Sequence, residues 1–341
     1  MANATPSHLG IKNAASYSSP QADESTVNSA SFAANNALFI RVFSGEVQAR
    51  FQAQTVLRDK TRVRTIPSGR SAVFNAVGKT TAAYHVPGTE IVGSNVKQDE
   101  RIIQIDDVLL ASTFVSNFEE ALNHYDVRSA FSREMGDALA QTYDRNLFAV
   151  AGAEALNPSS TAIADQGLAE NITLDATPTY AELVDQIYVA ARKLDEKNVP
   201  ENDRYVYVSP TVYYGLLGVD KVLNRDFVTG NGDFADGKIF RIAGMGIIKT
   251  NNMQVDHSST SVDFRSKYDA DMSNMQALIM HPEALGTVQL GSFGMSTEAE
   301  YDIRRQGVLM VSKMAVGHGV LRPECIIGIK TTGNAGENTL T

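Results

Sequence analysis

Six histidines, one cysteine and a few short glycine-bearing motifs are the places where this chain could do chemistry. Glu120 and His124 are four residues apart in a helical pattern, with Asp126 close behind, a set that could relay a proton or hold a cation. None of His8, His85, His124, His257, His281 and His318 has another histidine at ligand spacing, and a Glu–His pair on one helix face reads as a surface salt bridge. Gly78-Lys79-Thr80 ends like a phosphate-binding loop, but that loop needs a glycine at position 73, where Val73 stands. Gly244-Met245-Gly246 and Gly317-His318-Gly319 lack the remaining glycine of the dinucleotide fingerprint and read as backbone turns. Cys325 lies in an apolar stretch and reads as a packed core thiol; a lone cysteine excludes an intrachain disulfide and a cysteine-based metal cluster. Asn171-Ile172-Thr173 matches a glycosylation sequon with no accompanying sign of secretion. No catalytic, cofactor-binding or metal-binding set emerges, so the expectation is a protein that is not an enzyme and carries no cofactor.

Charge is more informative. The net charge is −9, yet the segment 58–70 holds Arg58, Lys60, Arg62, Arg64 and Arg70 against Asp59 alone. An acidic body with one basic segment is a poor nucleic-acid coat. It suits either a strand edge guarded by positive charge or a segment that docks on an acidic neighbour. No apolar run approaches the roughly 18 residues that a membrane span needs, and the first residues lack the pattern of a secretory signal.

The elements that must position these groups follow from periodicity. Residues 1–36, rich in Ser, Ala and Asn, predict a flexible start. ALFIRVFSGEVQARF (37–51) predicts a short amphipathic helix broken near Ser44-Gly45, with Leu38, Val42, Val47 and Phe51 on its covered face. Residues 55–115 read as extended strands, with a turn at Pro67-Ser68-Gly69, a polar tip from Pro87-Gly88 to Glu100, and a return through RIIQIDDVLLASTFV. A capping box at Ser116-Asn117-Phe118-Glu119 opens the clearest element, in which Phe118, Leu122, Tyr125, Phe131, Met135, Ala138, Leu139 and Thr142 recur at helical spacing as far as Ala151, just before Gly152. Such a helix is roughly 50 Å long at about 1.5 Å per residue, a spine for other pieces. Residues 157–177 predict a loop. Thr179-Tyr180-Ala181-Glu182 opens a second helix whose stripe is Leu183, Ile187, Ala190 and Leu194, and RYVYVS (204–209) reads as a buried strand before a helix capped at Ser209-Pro210. A glycine- and aspartate-rich loop over 218–238 precedes strands at 239–250, 276–281, 284–290, 303–316 and 325–330. Strands and helices without regular alternation predict an α+β fold.

Several collinear blocks resemble the major capsid proteins of T-seven-like podophages. They are ALFIRVFSGEVQARF (37–51), RTIPSGRSAVFNAVGKTTAAYHVPG (64–88), FEEALNHYDVRSAFSREMGDALA (118–140), EALGTVQL (283–290) and MAVGHGVLRPECIIGIK (314–330). The resemblance implies an HK97-like capsid fold. In it, 1–55 would be an N-terminal arm, 56–113 an extended hairpin loop and 114–177 a peripheral domain with the spine helix 116–151. Residues 178–308 would be an axial domain, 309–330 strands returning to the peripheral domain and 331–341 a disordered tail. It further implies a shell subunit of the virion capsid that forms hexamers and pentamers around double-stranded DNA, with a scaffolding protein during assembly in the host cytoplasm, a portal protein at one vertex, only weak contact with the packaged DNA, and no membrane. On this reading Arg62, Arg64 and Arg70 of the extended loop meet Glu119, Glu120 and Asp126 of an adjacent spine, while Phe118, Leu122, Tyr125, Phe131, Met135 and Leu139 form the spine core. The loop lysines Lys79 and Lys97 show no desolvated setting for a nucleophile, so such a shell would be held without covalent welding. The competing classes are a tail tube or sheath subunit and a hydrolase built on Glu120, His124 and Asp126.

Overall fold

The computed structural model describes residues 43–80, 82, 84–88, 90, 91, 93, 95–116, 127–158, 167–175, 178–219, 232–233, 238–239, 241–253, 256–257, 266–268, 270–291 and 295–332. They belong to two compact units. The first draws on Met1–Thr55, Asp106–Thr142 and Leu290–Val316; the second on Val56–Ile105, Tyr143–Gln289 and Gly317–Thr341. Helices and sheets are mixed without regular alternation, an α+β arrangement.

In the first unit, helix α1 (43–54) and the opening turns of helix α2 (Val127–Leu156) cover the antiparallel sheet β15-β16-β4, formed by β15 (Ser296–Asp302), β16 (Gly307–Met314) and β4 (Leu109–Ser116). Phe43, Val47, Val115, Met135 and Met310 make its buried cluster, with Phe131 and Val308 packed against it. Period-two alternation in β16 puts Met310, Ser312 and Met314 inward. Helix α1 runs through Ser44-Gly45 without the expected break, because Phe43, Val47 and Phe51 are buried at helical spacing and hold its first turns down. The described end of the expected N-terminal arm is thus a packed helix. Arg50 clamps it to α2 through a two-pronged pair with Asp137, Nε–Oδ1 2.7 Å and Nη2–Oδ2 2.9 Å, and Ser132 Oγ donates to Glu46 Oε2 at 2.8 Å. The helices approach so closely that a Cβ on Gly136 would lie 3.0 Å from the Val47 carbonyl.

Two differences concern α2. Ser116 closes β4, and 117–126 lie outside the described residues, so the expected capping box is not part of the described helix. At the other end the helix passes Gly152 and stops at Leu156. Gly152 is a packing glycine, not a terminus: a Cβ there would fall 2.5 Å from Met272 Sδ. The expected stripe also turns, since Ala138 is exposed and Thr142 half-buried, its hydroxyl donating back to the Ala138 carbonyl at 2.9 Å.

The second unit is built on a mixed sheet in the order β5-β18-β13-β6-β10-β9. These strands are β5 (Glu170–Leu174), β18 (Ile326–Thr331), β13 (Met275–Met280), β6 (Tyr205–Val208), β10 (Met245–Lys249) and β9 (Arg241–Ile242). Its central strands are continuous apolar runs, as strands covered on both faces must be; all six residues of β13 are buried. The second half of α2 supplies part of the cover, Phe148 meeting Tyr207 edge-on at 5.4 Å. Helix α3 (Tyr180–Glu196) buries Leu183, Val184, Ile187, Ala190 and Leu194. Its capping box is complete, with Glu182 N donating to Thr179 Oγ1 and Thr179 N to Glu182 Oε2. Thr179→Ala should therefore cost about 1 kcal/mol, read as a lower denaturation midpoint with an unchanged slope. Helix α4 (Pro210–Leu216) starts at the expected Ser209 cap.

The remaining strands depart further from expectation. Strand β1 (Arg62–Ile66) lies at the edge of the sheet β1-β14-β17, with β14 (Leu285–Leu290) and β17 (Val316–Val320). Only β2 (Ser71–Val77) and β3 (Gln98–Gln104) form a hairpin, and β4 joins the first unit. The expected loop over 56–113 is thus three separate pairings, β1 with β14, β2 with β3 and β4 with β16. Strand β5 appears where a loop was expected, its polar ENITL suited to a sheet edge. The final strands divide between the units, β16 in the first and β18 inside the six-stranded sheet. Within the expected glycine-rich loop, β7 (Gly232–Asp233) pairs with β8 (Lys238–Ile239), and β11 (Asp256–His257) with β12 (Ala270–Asp271) beyond it. The flexible start, 1–36, and the tail from 333 lie outside the described residues.

Candidate functional site

Within the second unit, β1, β2 and the turn around Arg322 enclose an open cleft of about 900 Å³. Its lining includes Arg62, Arg64, Lys79, Arg101, Arg322 and Glu283. Strand period two puts Arg62 and Arg64 on one face of β1, and the β2–β3 register sets Arg101 directly opposite Phe74. Arg64 is held in place: its Nη1 donates to the Val73 carbonyl at 2.6 Å and its guanidinium sits 5.7 Å from the Phe74 ring centre. Lys79 Nζ donates to the Lys197 carbonyl at 3.5 Å and is exposed. Arg101 Nε is buried without a hydrogen-bond partner among the described residues.

The single carboxylate in the lining does not neutralise the cleft. Glu283 and Glu324 both pair with the Arg322 guanidinium, and Glu324, fully buried, also accepts from Gly167 N at 2.7 Å. Asp99 and Glu100 stand on β3 but line no part of the cleft. Among the described residues Arg62, Arg64, Lys79 and Arg101 make no ion pair, so the cleft presents four uncompensated cations. Apolar side chains are exposed beside them: Val73 opposite Ile102, and Val63 and Val77.

Of the residues expected to act between copies, Arg62 and Arg64 are in the cleft. Arg70 is exposed beyond the turn at Gly69, accepting Ile105 N with its carbonyl, and is not in the lining. Glu119, Glu120, Asp126, His124, Phe118, Leu122 and Tyr125 lie outside the described residues. Met135 and Leu139 are buried and Phe131 half-buried. Lys79, Arg101 and Arg322 were not singled out as contact residues. Arg101 had a local signal, facing the same side as Phe74 in a paired strand, whereas Arg322 comes from a distant turn.

The groups that could do chemistry are placed for other work. Cys325 lies in the turn that precedes β18 rather than in a strand, fully buried, and desolvation pushes its thiol up to about 12. His318 is fully buried, with Nδ1 3.0 Å from Thr287 Oγ1 and its ring edge-on to Tyr143. Asn171, the sequon residue, has a buried side-chain oxygen on β5. Gly78 N closes the β2–β3 ladder on the Lys97 carbonyl at 2.8 Å. No three His, Cys, Asp or Glu side chains among the described residues gather as a metal site, and no described helix is long and apolar enough to cross a membrane.

A family model for Gp10A-like major capsid proteins matches residues 74–330. The major capsid protein of Escherichia phage T7 is 29% identical over 313 residues, 84% of this chain and 90% of that protein. Among solved structures, the capsid of Cyanophage P-SCSP1u superposes with a TM-score of 0.73 at 36% identity, covering 82% of this chain and 89% of that one. The mature capsid of bacteriophage PhiM1 superposes with a TM-score of 0.69 at 18% identity, over 82% and 88% of the two chains, and speaks for the fold alone.

Proposed function

This chain belongs to the Gp10A-like family of major capsid proteins, and we propose that it closes, as hexamers and pentamers, an icosahedral shell around the double-stranded DNA of a short-tailed phage. Shell formation and a place in the virion capsid are the function of the family and of this chain; it is a structural protein. The observation that carries the finer reading is the match across residues 74–330, which takes in most of the hairpin, the spine helix and the later strands of both units.

A shell subunit binds copies of itself through heterologous contacts that close, and weak contacts suffice when many act together. The cleft suits such work, because Arg62 and Arg64 carry charge that no carboxylate of the same chain neutralises among the described residues. Assembly in the host cytoplasm would use a scaffolding protein, with a portal protein at one vertex. Packaged DNA would touch the shell weakly, since the net charge of −9 gives phosphates little to hold. The spine carboxylates Glu119, Glu120 and Asp126 are one candidate set of partners for the arginines.

Electron microscopy of the chain co-expressed with its scaffolding protein tests the reading: closed polyhedral shells are expected, and tubes or compact oligomers would overturn it. Replacing Arg62, Arg64 and Arg70 together by Gln should leave the fold intact and raise the concentration needed for assembly about tenfold. Normal shells from that variant at moderate salt would remove the arginines from the interface.

A further inference from the structure

The cleft sits beside an edge strand. β1 has one ladder neighbour, β14. The Arg64 side chain ties it to β2 at the Val73 carbonyl. The charges on β1 are the familiar guard of such an edge: two copies of β1 would set arginine against arginine, which disfavours self-pairing. A guard of one sign is also an invitation to a strand of the other.

Such a strand exists in the first unit. β15 is an edge strand of the sheet β15-β16-β4. It reads STEAEYD and carries Glu298, Glu300 and Asp302 at every second position, so the three carboxylates share one face at about 6.8 Å spacing. Arg62 and Arg64 repeat at the same interval on β1. Glu300 is exposed and makes no ion pair among the described residues. Glu298 is paired with Lys313 at 2.7 Å but keeps 66% of its side-chain exposure. Across the sheet Glu300 lines up with Leu309 and then Phe114, both exposed. The acidic row thus runs beside apolar side chains, as the cations of the cleft run beside Val63, Val73 and Val77. Among the described strands, no other carries carboxylates at alternate positions.

We propose that the basic cleft beside β1 of one copy receives the acidic edge strand β15 of a second copy, with Arg62 and Arg64 facing Glu300 and Glu298. The contact is heterologous, one surface meeting a different surface, so it propagates around a ring instead of ending in a dimer. It rests on the shell reading above and names different carboxylates from those of the spine.

Charge exchange tests it. Arg62→Glu and Glu300→Arg, chosen because neither residue makes an ion pair or a side-chain hydrogen bond among the described residues, should each raise the concentration for shell assembly with scaffold at least tenfold. The two together should bring it back to within about twofold of the wild type. Rescue supports the proposal. Arg62→Glu that assembles as well as the wild type would sink both the arginine interface and this pairing. Arg62→Glu that is impaired, unrescued by Glu300→Arg but rescued by reversal at Glu119, Glu120 or Asp126, would keep the interface and overturn its partner. Should a reversed variant fold poorly, Arg62→Cys with Glu300→Cys provides the second measurement. Treating assembled shells with a short bis-maleimide, whose span replaces the two long side chains, should give a ladder of cross-linked chains in denaturing gels, and monomers alone would refute the contact. The native Cys325 is buried and contributes no background.

Discussion

Gly317→Ala is expected to cost the fold about 3 kcal/mol, the upper part of the range for forcing an extra carbon into a packed site. A Cβ at that position would lie 2.0 Å from the Gln104 carbonyl oxygen, 2.8 Å from its carbon and 2.8 Å from Ile105 Cα. All three are backbone atoms, so no side chain can rotate away; β17 or the end of β3 must move. At the neighbouring Gly319 the three atoms nearest an added Cβ all belong to the Ile103 side chain, the closest at 2.9 Å, and alanine there should cost less. Gly45→Ala is the control of opposite sign. Nothing lies within 4 Å of its added Cβ in helix α1, and alanine should gain about 0.5–1 kcal/mol there. Urea midpoints of the three variants, taken on unassembled protein, decide the matter. A Gly317→Ala chain as stable as the wild type would show that the strands are not in contact as described.

The second large effect is a pH dependence set by His318. Burial, with a smaller contribution from Lys267, pushes its imidazole down from 6.5 to about 3. Its Nε2 is buried without a partner, so a proton there would be neither solvated nor paired. The folded value is depressed, so the unfolded chain binds the extra proton in the window between those two values. Stability from this group is full above about pH 6.5 and falls as pH drops, by roughly 1.4 kcal/mol per unit. Asp144 works against it. Its carboxylate accepts Val56 N at 2.8 Å and Leu57 N at 3.3 Å, but desolvation outweighs these bonds and raises it from 3.8 to about 6. Here the folded state binds the proton first, so acidification from about pH 6 towards 4 adds stability. The two slopes partly cancel in the wild type. His318→Gln removes one of them: the variant should gain on the wild type steadily from pH 6.5 to pH 4, whatever its offset at neutral pH. Parallel curves for the two proteins across that range would mean that His318 titrates in the folded state as it does in water.

The elements with strong local chemistry were legible in the sequence. Helix α3 begins at Thr179 because its box has both halves, and α4 begins at Ser209 because proline follows the cap. What failed was whatever depends on a distant partner. Gly152 reads as a helix end in isolation, and only Met272 explains why a glycine continues the helix. Glu170–Leu174 is too polar to announce a strand and becomes one by lying beside β18. Arg62 and Arg64 stood out by charge, but their setting needs a register with β14 more than two hundred residues away and a turn around Arg322. Neither is written in any local window.

Strand β18 is enclosed on both sides, by β13 and β5, and the chain reaches it only at Ile326–Thr331. A ribosome must therefore release the chain past Thr331 before the six-stranded sheet can close. Prematurely terminated chains lack an interior strand, not a dispensable end, and leave two ladders open to water. The order of synthesis thereby acts as an inspection step: a subunit acquires its finished surfaces only once translation has passed β18.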